Sequence, residues 1–406
     1  MKRGDDLPSD APGVYMPVRT DRSVPFGTFY RPHDLPPDCT LSDETIQLVE
    51  RTMHALGRLD GFRGQVQEAE TVFKPLLYKE AEQSSQIEGT QVTTTDIYRA
   101  TAGGDTSAHS RDVQEAMNSV EALQAASRRL LDRGRSPDHV TLDLLRELHS
   151  IVMETGQTDE NNPFPGEFRP DYAWIEESNE PWQRSVRFVP PKAEMVESMM
   201  ESLLTYVQSP SRFPDIVDVA LVHYQIETIH PFKDGNGRVG RLLAILMLVA
   251  CDALTKPLFY MSSYIKANRE EYTDRLLAVS EDGEWEEWIR FFVSGMHDQA
   301  EEVLGRAKLL LDQYEAYREQ YERGPESVQR LLGVLFEQPY LTVPTAAERI
   351  DMSYPAANSA VDTLVEDGVL LQVEERERNR EFVATDVMEI VERDAADLPT
   401  PADVLG

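Results

Sequence analysis

The sequence predicts an all-α protein that carries a small β-hairpin flap and, towards its C-terminal end, a winged-helix domain. Apolar residues recur at helical spacing over most of the 406 residues. One stretch, Phe168 to Pro191, breaks that spacing: Tyr172, Trp174, Val186, Phe188 and Val189 flank a polar centre, Glu176 to Glu180. After Gly324 the order changes to helix, helix-turn-helix and two short strand-like runs. Strands do not alternate with helices, which excludes a doubly wound sheet.

Residues 1–40, rich in Pro, Asp and Arg without a period, read as an extended arm. N-terminal helices are expected over 41–109. The first has a stripe of Ile46, Leu48, Val49, Met53, Leu56 and Leu59 that stops at Gly61; the second runs from Glu68 to Glu88 and stops at Gly89. A core over 110–297 follows the flexible Gly103-Gly104 pair, with helices at Ser110 to Arg133, Leu142 to Thr155, Ala193 to Gln208, Pro214 to Thr228, Arg238 to Ala253, Arg269 to Ser280 and Trp285 to Gly295. A linker helix is expected over 298–324. The winged helix would occupy 325–386, with helices at Glu326 to Glu337, Thr345 to Ile350 and Pro355 to Glu366 and strands at Val369 to Val373 and Glu381 to Ala384. Residues 387–406 read as a loose acidic tail.

The formal net charge of −32 is spread along the whole chain, and only 8 of the 40 basic residues are Lys. This composition matches proteins of salt-loving archaea, whose self-repulsion is screened in molar salt by a Debye length of about 3 Å. The overall charge therefore says little about a specific partner. The longest apolar stretch, Leu242 to Cys251, is about half of the ~20 residues that cross a bilayer. No apolar segment follows the N-terminus, and a cytoplasmic protein is expected. Cys39 and Cys251 lie far apart; Cys251 is expected to be a buried thiol, and neither a disulfide framework nor a zinc site is visible.

The most informative segment runs from His230 to Arg241, His-Pro-Phe-Lys-Asp-Gly-Asn-Gly-Arg-Val-Gly-Arg, between two helices. Gly235 and Gly237 let the backbone turn with its N–H groups converging, and the helix that follows adds its positive dipole end, so the loop suits an anion. Arg238 and Arg241, three apart, share a helix face and offer bidentate contacts to phosphate oxygens. Asp234 supplies one carboxylate, as Mg²⁺ shared with phosphates requires. His230, with an ordinary pKa of ~6.5, suits removal of a proton from an attacking hydroxyl. Taken singly, each residue has an ordinary structural explanation; twelve residues that combine all four roles do not. The same stretch satisfies G-x-G-x-x-G, but a helix and not a strand precedes it, so the dinucleotide reading is rejected.

This segment resembles the signature of the Fic family, His-Pro-Phe-x-Asp/Glu-Gly-Asn-Gly-Arg-x-x-Arg, at every defined position. The resemblance continues through Gly166-Glu167-Phe168-Arg169, Phe188-Val189-Pro190-Pro191, Tyr264, Asn268 and Trp288. It implies a Fic helical bundle and a protein adenylyltransferase that moves AMP from ATP, with Mg²⁺, onto a Ser, Thr or Tyr hydroxyl of a target protein or of itself. By resemblance His230 is the general base, Phe232 anchors the loop, and Asp234 holds the metal. Gly235, Asn236, Gly237 and Arg238 hold the α- and β-phosphates, Arg241 addresses the γ-phosphate, and Tyr264 and Asn268 lie on the adenine side. The flap would take target backbone as an added strand.

A second segment, Ser84-Ser85-Gln86-Ile87-Glu88-Gly89, places Glu88 where a carboxylate opposes the helix dipole, so a cationic partner is expected. It resembles the family's inhibitory motif, Ser/Thr-x-x-x-Glu-Gly/Asn, with Ser84, Glu88 and Gly89 at the defined positions. That implies that Glu88 pairs with Arg241 and occupies the place of the γ-phosphate. The same site in other members removes AMP, and a nucleotide-sensing transcriptional regulator is a further alternative; an intact His230 favours the transferase over the sensor. From Glu326 to Ala384 there are 11 acidic and 5 basic residues, with Arg376, Arg378 and Arg380 at the expected wing tip. DNA and a second copy of the chain stay open as partners, and a membrane is not expected.

Overall fold

The computed structural model describes residues 12–18, 27–65, 69–102, 110–154, 164–176, 186–373, 380–400 and 404. Gly103-Gly104, the flap centre from 177 to 180, and Arg376 and Arg378 lie outside these residues. The fold is all-α with small β elements, as the apolar spacing predicts.

Where an extended arm was expected, the chain forms an antiparallel hairpin, β1 (Gly13–Pro17) and β2 (Thr28–Pro32), with Gly13 opposite Pro32 and Tyr15 opposite Tyr30. Proline ends both strands, a position it tolerates, and this broke up the strand signal. The first helix, α1 (Asp43–Gln65), starts with Asp43 and Glu44 against its positive dipole end. It does not stop at Gly61 but continues to Gln65, and Ile46 and Met53 of the expected stripe are exposed. Each interior glycine costs roughly 1 kcal/mol; burial of Val49, Leu56 and Leu59 offsets it. Helix α2 (Ala69–Ile87) ends as expected before Gly89, whose φ of 99° only glycine adopts readily. A short α3 (Thr94–Thr101), opened by a Thr93–Asp96 capping box, was not foreseen.

Helices α4 (Ser110–Arg133) and α5 (Leu142–Val152) fall where the spacing puts them. The flap is a hairpin of β3 (Ile175–Glu176) and β4 (Val186–Phe188). Then follow α6 (Ala193–Val207), α7 (Asp215–Ile229), α8 (Asn236–Ala250), α9 (Ser262–Ala267) and α10 (Arg269–Asp282). The two helices expected from Trp285 onward are one, α11 (Trp285–Gln320), because Gly295 lies within a continuous apolar stripe. The last part comprises α12 (Glu326–Glu337), β5 (Tyr340–Thr342), α13 (Val343–Arg349), α14 (Tyr354–Glu366), β6 (Leu371–Gln372), β7 (Glu381–Val383) and α15 (Thr385–Glu392).

The chain divides into two compact units. One comprises residues 1–57, 121–257 and 264–297 and is built on α7 and α8, which are buried on nearly every face. Such all-round burial needs helices that are apolar all round. Trp288 is fully buried there and its indole N–H donates to the Ala220 carbonyl at 2.9 Å. Cys251 is half-buried, less than its apolar run suggested.

The other unit comprises residues 58–120, 258–263 and 298–406. Its three-stranded antiparallel sheet has the order β5-β7-β6. The Tyr78 and Tyr98 rings meet edge to face at 5.1 Å. The fully buried Gln338 donates to the Tyr98 carbonyl at 2.6 Å and accepts from the Thr101 hydroxyl at 2.7 Å, so this buried amide is satisfied on both sides. The expected tail from 387 onward is in part the helix α15: Val387, Met388, Ile390 and Val391 are buried, and Arg306 donates to the carbonyls of Ile390 and Val391 at 2.9 Å each.

Candidate active site

Helix α7 ends at His230, which closes it in a left-handed conformation, φ 51° and ψ 61°. Few residues other than glycine, Asn, Asp and His adopt this region. The turn lifts the imidazole out of the helix, and Nδ1 lies 3.4 Å from the Glu227 carbonyl. A carbonyl only accepts, so in this weak contact Nδ1 is the donor. Phe232 follows, completely buried, and anchors the loop as the resemblance implied; burial of such a ring contributes roughly 1.5–3 kcal/mol.

Asn236 opens α8, and its side chain is spent on the loop itself. Its Oδ1 accepts from the Phe232 N–H and its Nδ2 donates to the Phe232 carbonyl, both at 2.8 Å. Gly235 caps α8 with φ 74°, and a Cβ there would lie 2.8 Å from the Met153 sulfur. The first-turn amides of α8 precede the first helical bond, Val239 N–H to Gly235 carbonyl at 3.0 Å, and such unbonded helix-start amides suit an anion. Arg238 on this turn and Arg241 on the next are both almost completely buried, and Arg238 reaches the Met153 sulfur at 3.4 Å. Two guanidinium groups beside a helix N-terminus raise the positive potential where an anion would sit. Asp234 has one carboxylate oxygen bonded to the Gly235 N–H at 2.6 Å. Among the described residues, no three His, Cys, Asp or Glu side chains gather to hold a metal by themselves. A single oriented carboxylate beside a phosphate cradle fits Mg²⁺, which takes most of its oxygens from phosphate and water.

Two residues behind the loop escaped the sequence reading of roles. Arg169, buried, donates from Nε to the His230 carbonyl at 2.8 Å, from Nη1 to the Asp171 carbonyl at 2.7 Å, and from Nη2 to the Pro191 and Ile229 carbonyls. Its own N–H donates to the Pro231 carbonyl at 2.9 Å. Burial lowers its pKa to about 10, which leaves it charged near neutrality. His149, completely buried on α5, accepts on Nδ1 from the Gly166 N–H at 2.8 Å, lies with Nε2 3.1 Å from the Asp234 carbonyl, and stacks on Phe232 at 3.8 Å and 4°. Burial pushes its pKa down to about 4.

Beyond the end of α7 lies a cleft of about 690 Å³ with an apolar wall of Ile175, Phe188, Leu276 and Leu277 and a charged rim that includes Glu176, Arg187, Glu227, Arg269 and Glu270. Tyr264 and Asn268, expected on the adenine side, do not line it: the Asn268 amide donates to the Tyr264 carbonyl at 2.9 Å, and the Tyr264 ring packs on Phe291 at 5.3 Å. The N-terminal hairpin braces the cleft from behind. Tyr30 N–H donates to the Val189 carbonyl at 2.8 Å, its ring packs on Phe188 at 5.6 Å, and the Tyr224 hydroxyl bonds that of Ser280 at 2.8 Å. Of the second motif, Ser84 is buried, and Glu88 is exposed where α2 ends.

Residues 46–128 match the family described as Fic/DOC family N-terminal, and residues 139–248 match the Fic/DOC family itself. The two matches follow one another along the chain, the N-terminal one first. It is 30% identical over 93 residues to a probable protein adenylyltransferase of Aquifex aeolicus, covering 23% of this chain and 29% of that protein. It is 31% identical over 137 residues to the protein adenylyltransferase Fic of Nematostella vectensis, covering 33% of this chain and 28% of that protein. The matched part thus spans less than a third of these relatives. The fold is shared with a Fic family protein of Desulfovibrio desulfuricans, TM-score 0.55 at 19% identity over 86% of this chain and 98% of the other. It is shared also with a Fic domain-containing signalling protein of Bacteroides thetaiotaomicron, TM-score 0.50 at 20% identity over 66% and 97%.

Proposed function

We propose that this chain is a protein adenylyltransferase that transfers AMP from ATP to a Ser, Thr or Tyr hydroxyl of a target protein or of itself. The observation that carries the reading is the junction of α7 and α8: an imidazole on a left-handed cap, six residues before a helix start that carries two buried arginines. The α- and β-phosphates would rest on the amides of Asn236 and Gly237 with Arg238, with Gly235 supplying the turn while its own N–H holds the Asp234 carboxylate, and the γ-phosphate would face Arg241. Asp234 would hold Mg²⁺, which when bound neutralises charge on the phosphate oxygens. The target hydroxyl attacks the α-phosphorus in line; the new O–P bond forms as the bond to the bridging oxygen breaks and pyrophosphate leaves. Nε2 of His230 takes the hydroxyl proton. The wall of Ile175, Phe188, Leu276 and Leu277 on one part of the cleft would suit the base.

Strand addition to the β3–β4 flap would bring the hydroxyl to His230. Glu88, by its motif, would hold the enzyme in check through Arg241. The order of α12, α13, α14, β6 and β7 supports a winged-helix reading of the last part. Since α14 has no Lys or Arg in its sequence, a protein partner suits it better than DNA.

The test is label transfer in high potassium chloride, with ATP labelled on the α- or the γ-phosphate, for the native protein, Glu88→Gly, and Glu88→Gly with His230→Asn. The expected result is α-label on protein, weak in the native form, at least ~10-fold stronger in Glu88→Gly and lost without the imidazole, consistent with the 10²–10⁴-fold worth of a general base. Transfer of γ-label would make the protein a kinase, and ATP binding without transfer to any protein of a cell extract would make it a sensor.

A further inference from the structure

We infer that His149 is a positioning residue for the metal-binding carboxylate: through Asp234 it sets where the loop presents a divalent cation to the phosphates. The inference rests on the proposed nucleotide site, and it concerns a residue outside the signature.

Both ring nitrogens of His149 are committed, each in one sense only. Nδ1 faces the Gly166 N–H, which can only donate, so Nδ1 is the unprotonated acceptor at 2.8 Å. The ring proton therefore sits on Nε2, and the Asp234 carbonyl 3.1 Å away accepts it. The ring face lies parallel to Phe232 at 3.8 Å. Three contacts in three directions leave the imidazole no freedom to turn, and it is completely buried.

Asp234 is consequently held at two points. Its carbonyl accepts from His149, and one oxygen of its carboxylate accepts from the Gly235 N–H at 2.6 Å. With the peptide plane and the carboxylate both fixed, the carboxylate points in one direction relative to the amides of α8. Mg²⁺ tolerates little departure from octahedral geometry, so a site with one protein carboxylate depends on that carboxylate being fixed in advance. Met153, one turn further along α5, touches the same loop beside Gly235 and Arg238, so α5 acts as the template against which the loop is set. His149 does not touch substrate and takes no part in proton transfer.

Two substitutions separate the nitrogens. His149→Gln can place an amide donor near the position of Nε2 and keep the bond to Asp234; His149→Asn can accept from Gly166 but does not reach Asp234. Mn²⁺ binding is measured by water-proton relaxation with a non-hydrolysable ATP analogue present, alongside analogue binding in EDTA. We expect His149→Asn to weaken Mn²⁺ binding at least 10-fold with analogue affinity in EDTA unchanged, and His149→Gln to stay within 3-fold of the native protein. Equal behaviour of the two variants, or a parallel loss of metal and metal-free nucleotide binding, overturns the inference. Should neither variant fold, ¹⁵N-imidazole resonances of the native protein carry the test. The His149 Nε2–H signal should shift when Mg²⁺ is added to the analogue complex and not when the analogue is added alone; no such shift overturns it. Label transfer is scored separately: native protein that binds Mn²⁺ and analogue but transfers nothing removes the transferase reading and leaves the role of His149 standing. Transfer with unaltered metal binding in His149→Asn does the reverse.

Discussion

The middle and the end of α7 each carry a histidine, seven residues apart, and the two could hardly be used more differently. His223 is buried, with Nδ1 donating to the Gly240 carbonyl at 3.2 Å and Nε2 accepting from the Tyr272 hydroxyl at 2.9 Å, beside the Trp288 ring. Burial pushes its pKa down to about 3. His230 sits on a left-handed cap, half-buried, with a long Nδ1 contact to its own helix. Helical geometry seals the first imidazole between packed elements; departure from it leaves the second half-buried at the end of the helix. A histidine in this bundle is thus architectural or chemical according to whether the backbone that carries it stays in the helix.

The sharpest way to break that contrast is to exchange the roles. His230→Asn removes the base but keeps a residue that tolerates the left-handed region, so transfer should fall by ~10²–10⁴ while the folding midpoint stays within ~0.5 kcal/mol of the native value. Label transfer and urea unfolding on the same preparation check both halves. A large loss of stability would mean that His230 also serves the fold, and the contrast would collapse.

What was legible in the sequence follows the same division. The loop from His230 to Arg241 could be read because contact residues, turn glycines and helix start fall within twelve consecutive positions. The shell behind it could not: His149 meets Asp234 across 85 residues, with no spacing to betray the pair. Arg169 was reached by resemblance, but its task of gathering carbonyls from His230, Asp171 and Pro191 is a property of the folded chain. The helices were legible where apolar spacing was strong, as in α4 and α5. The β1–β2 hairpin and α15 were lost because a few residues, interrupted by proline or crowded with acid, give no usable period. Tyr264 and Asn268, also reached by resemblance, close a helix turn on each other, a contact that no spacing announces.

The next largest effect is a pH dependence carried by the buried histidines. His149 and His223 are held neutral, with folded pKa values of about 4 and 3 against an unfolded value near 6.5. Between pH 6.5 and 4 the unfolded chain binds more protons at these sites, so stability is full above pH 6.5 and is lost as pH falls. Asp218 works in the opposite sense: desolvation raises its carboxyl to about 6, although hydroxyl bonds from Tyr206 and Ser211 lower it. The net loss from pH 7 to pH 4.5 should be on the order of 3 kcal/mol. Urea midpoints across that range measure it, and His223→Gln, which cannot take up a proton, should flatten the profile. An equally steep profile in that variant would place the titration elsewhere.

The smallest effect concerns the strained turn that makes the end of α7 unlike its middle. Gly235→Ala adds a Cβ at φ 74° and 2.8 Å from the Met153 sulfur, two separate penalties. The left-handed conformation costs a non-glycine residue roughly 1 kcal/mol, and the contact can be relieved if the Met153 side chain moves. Stability should fall by about 1–2 kcal/mol. Nucleotide binding should fall more than that implies, because the displaced Met153 is also the neighbour of Arg238. Gly235→Ala with Met153→Ala separates the terms in a double-mutant cycle. The second substitution removes the steric part, so the loss beyond that of Met153→Ala alone should shrink to the conformational cost. If the two losses simply add, the loop does not lean on Met153 at Gly235, and α5 supports the turn through His149 alone.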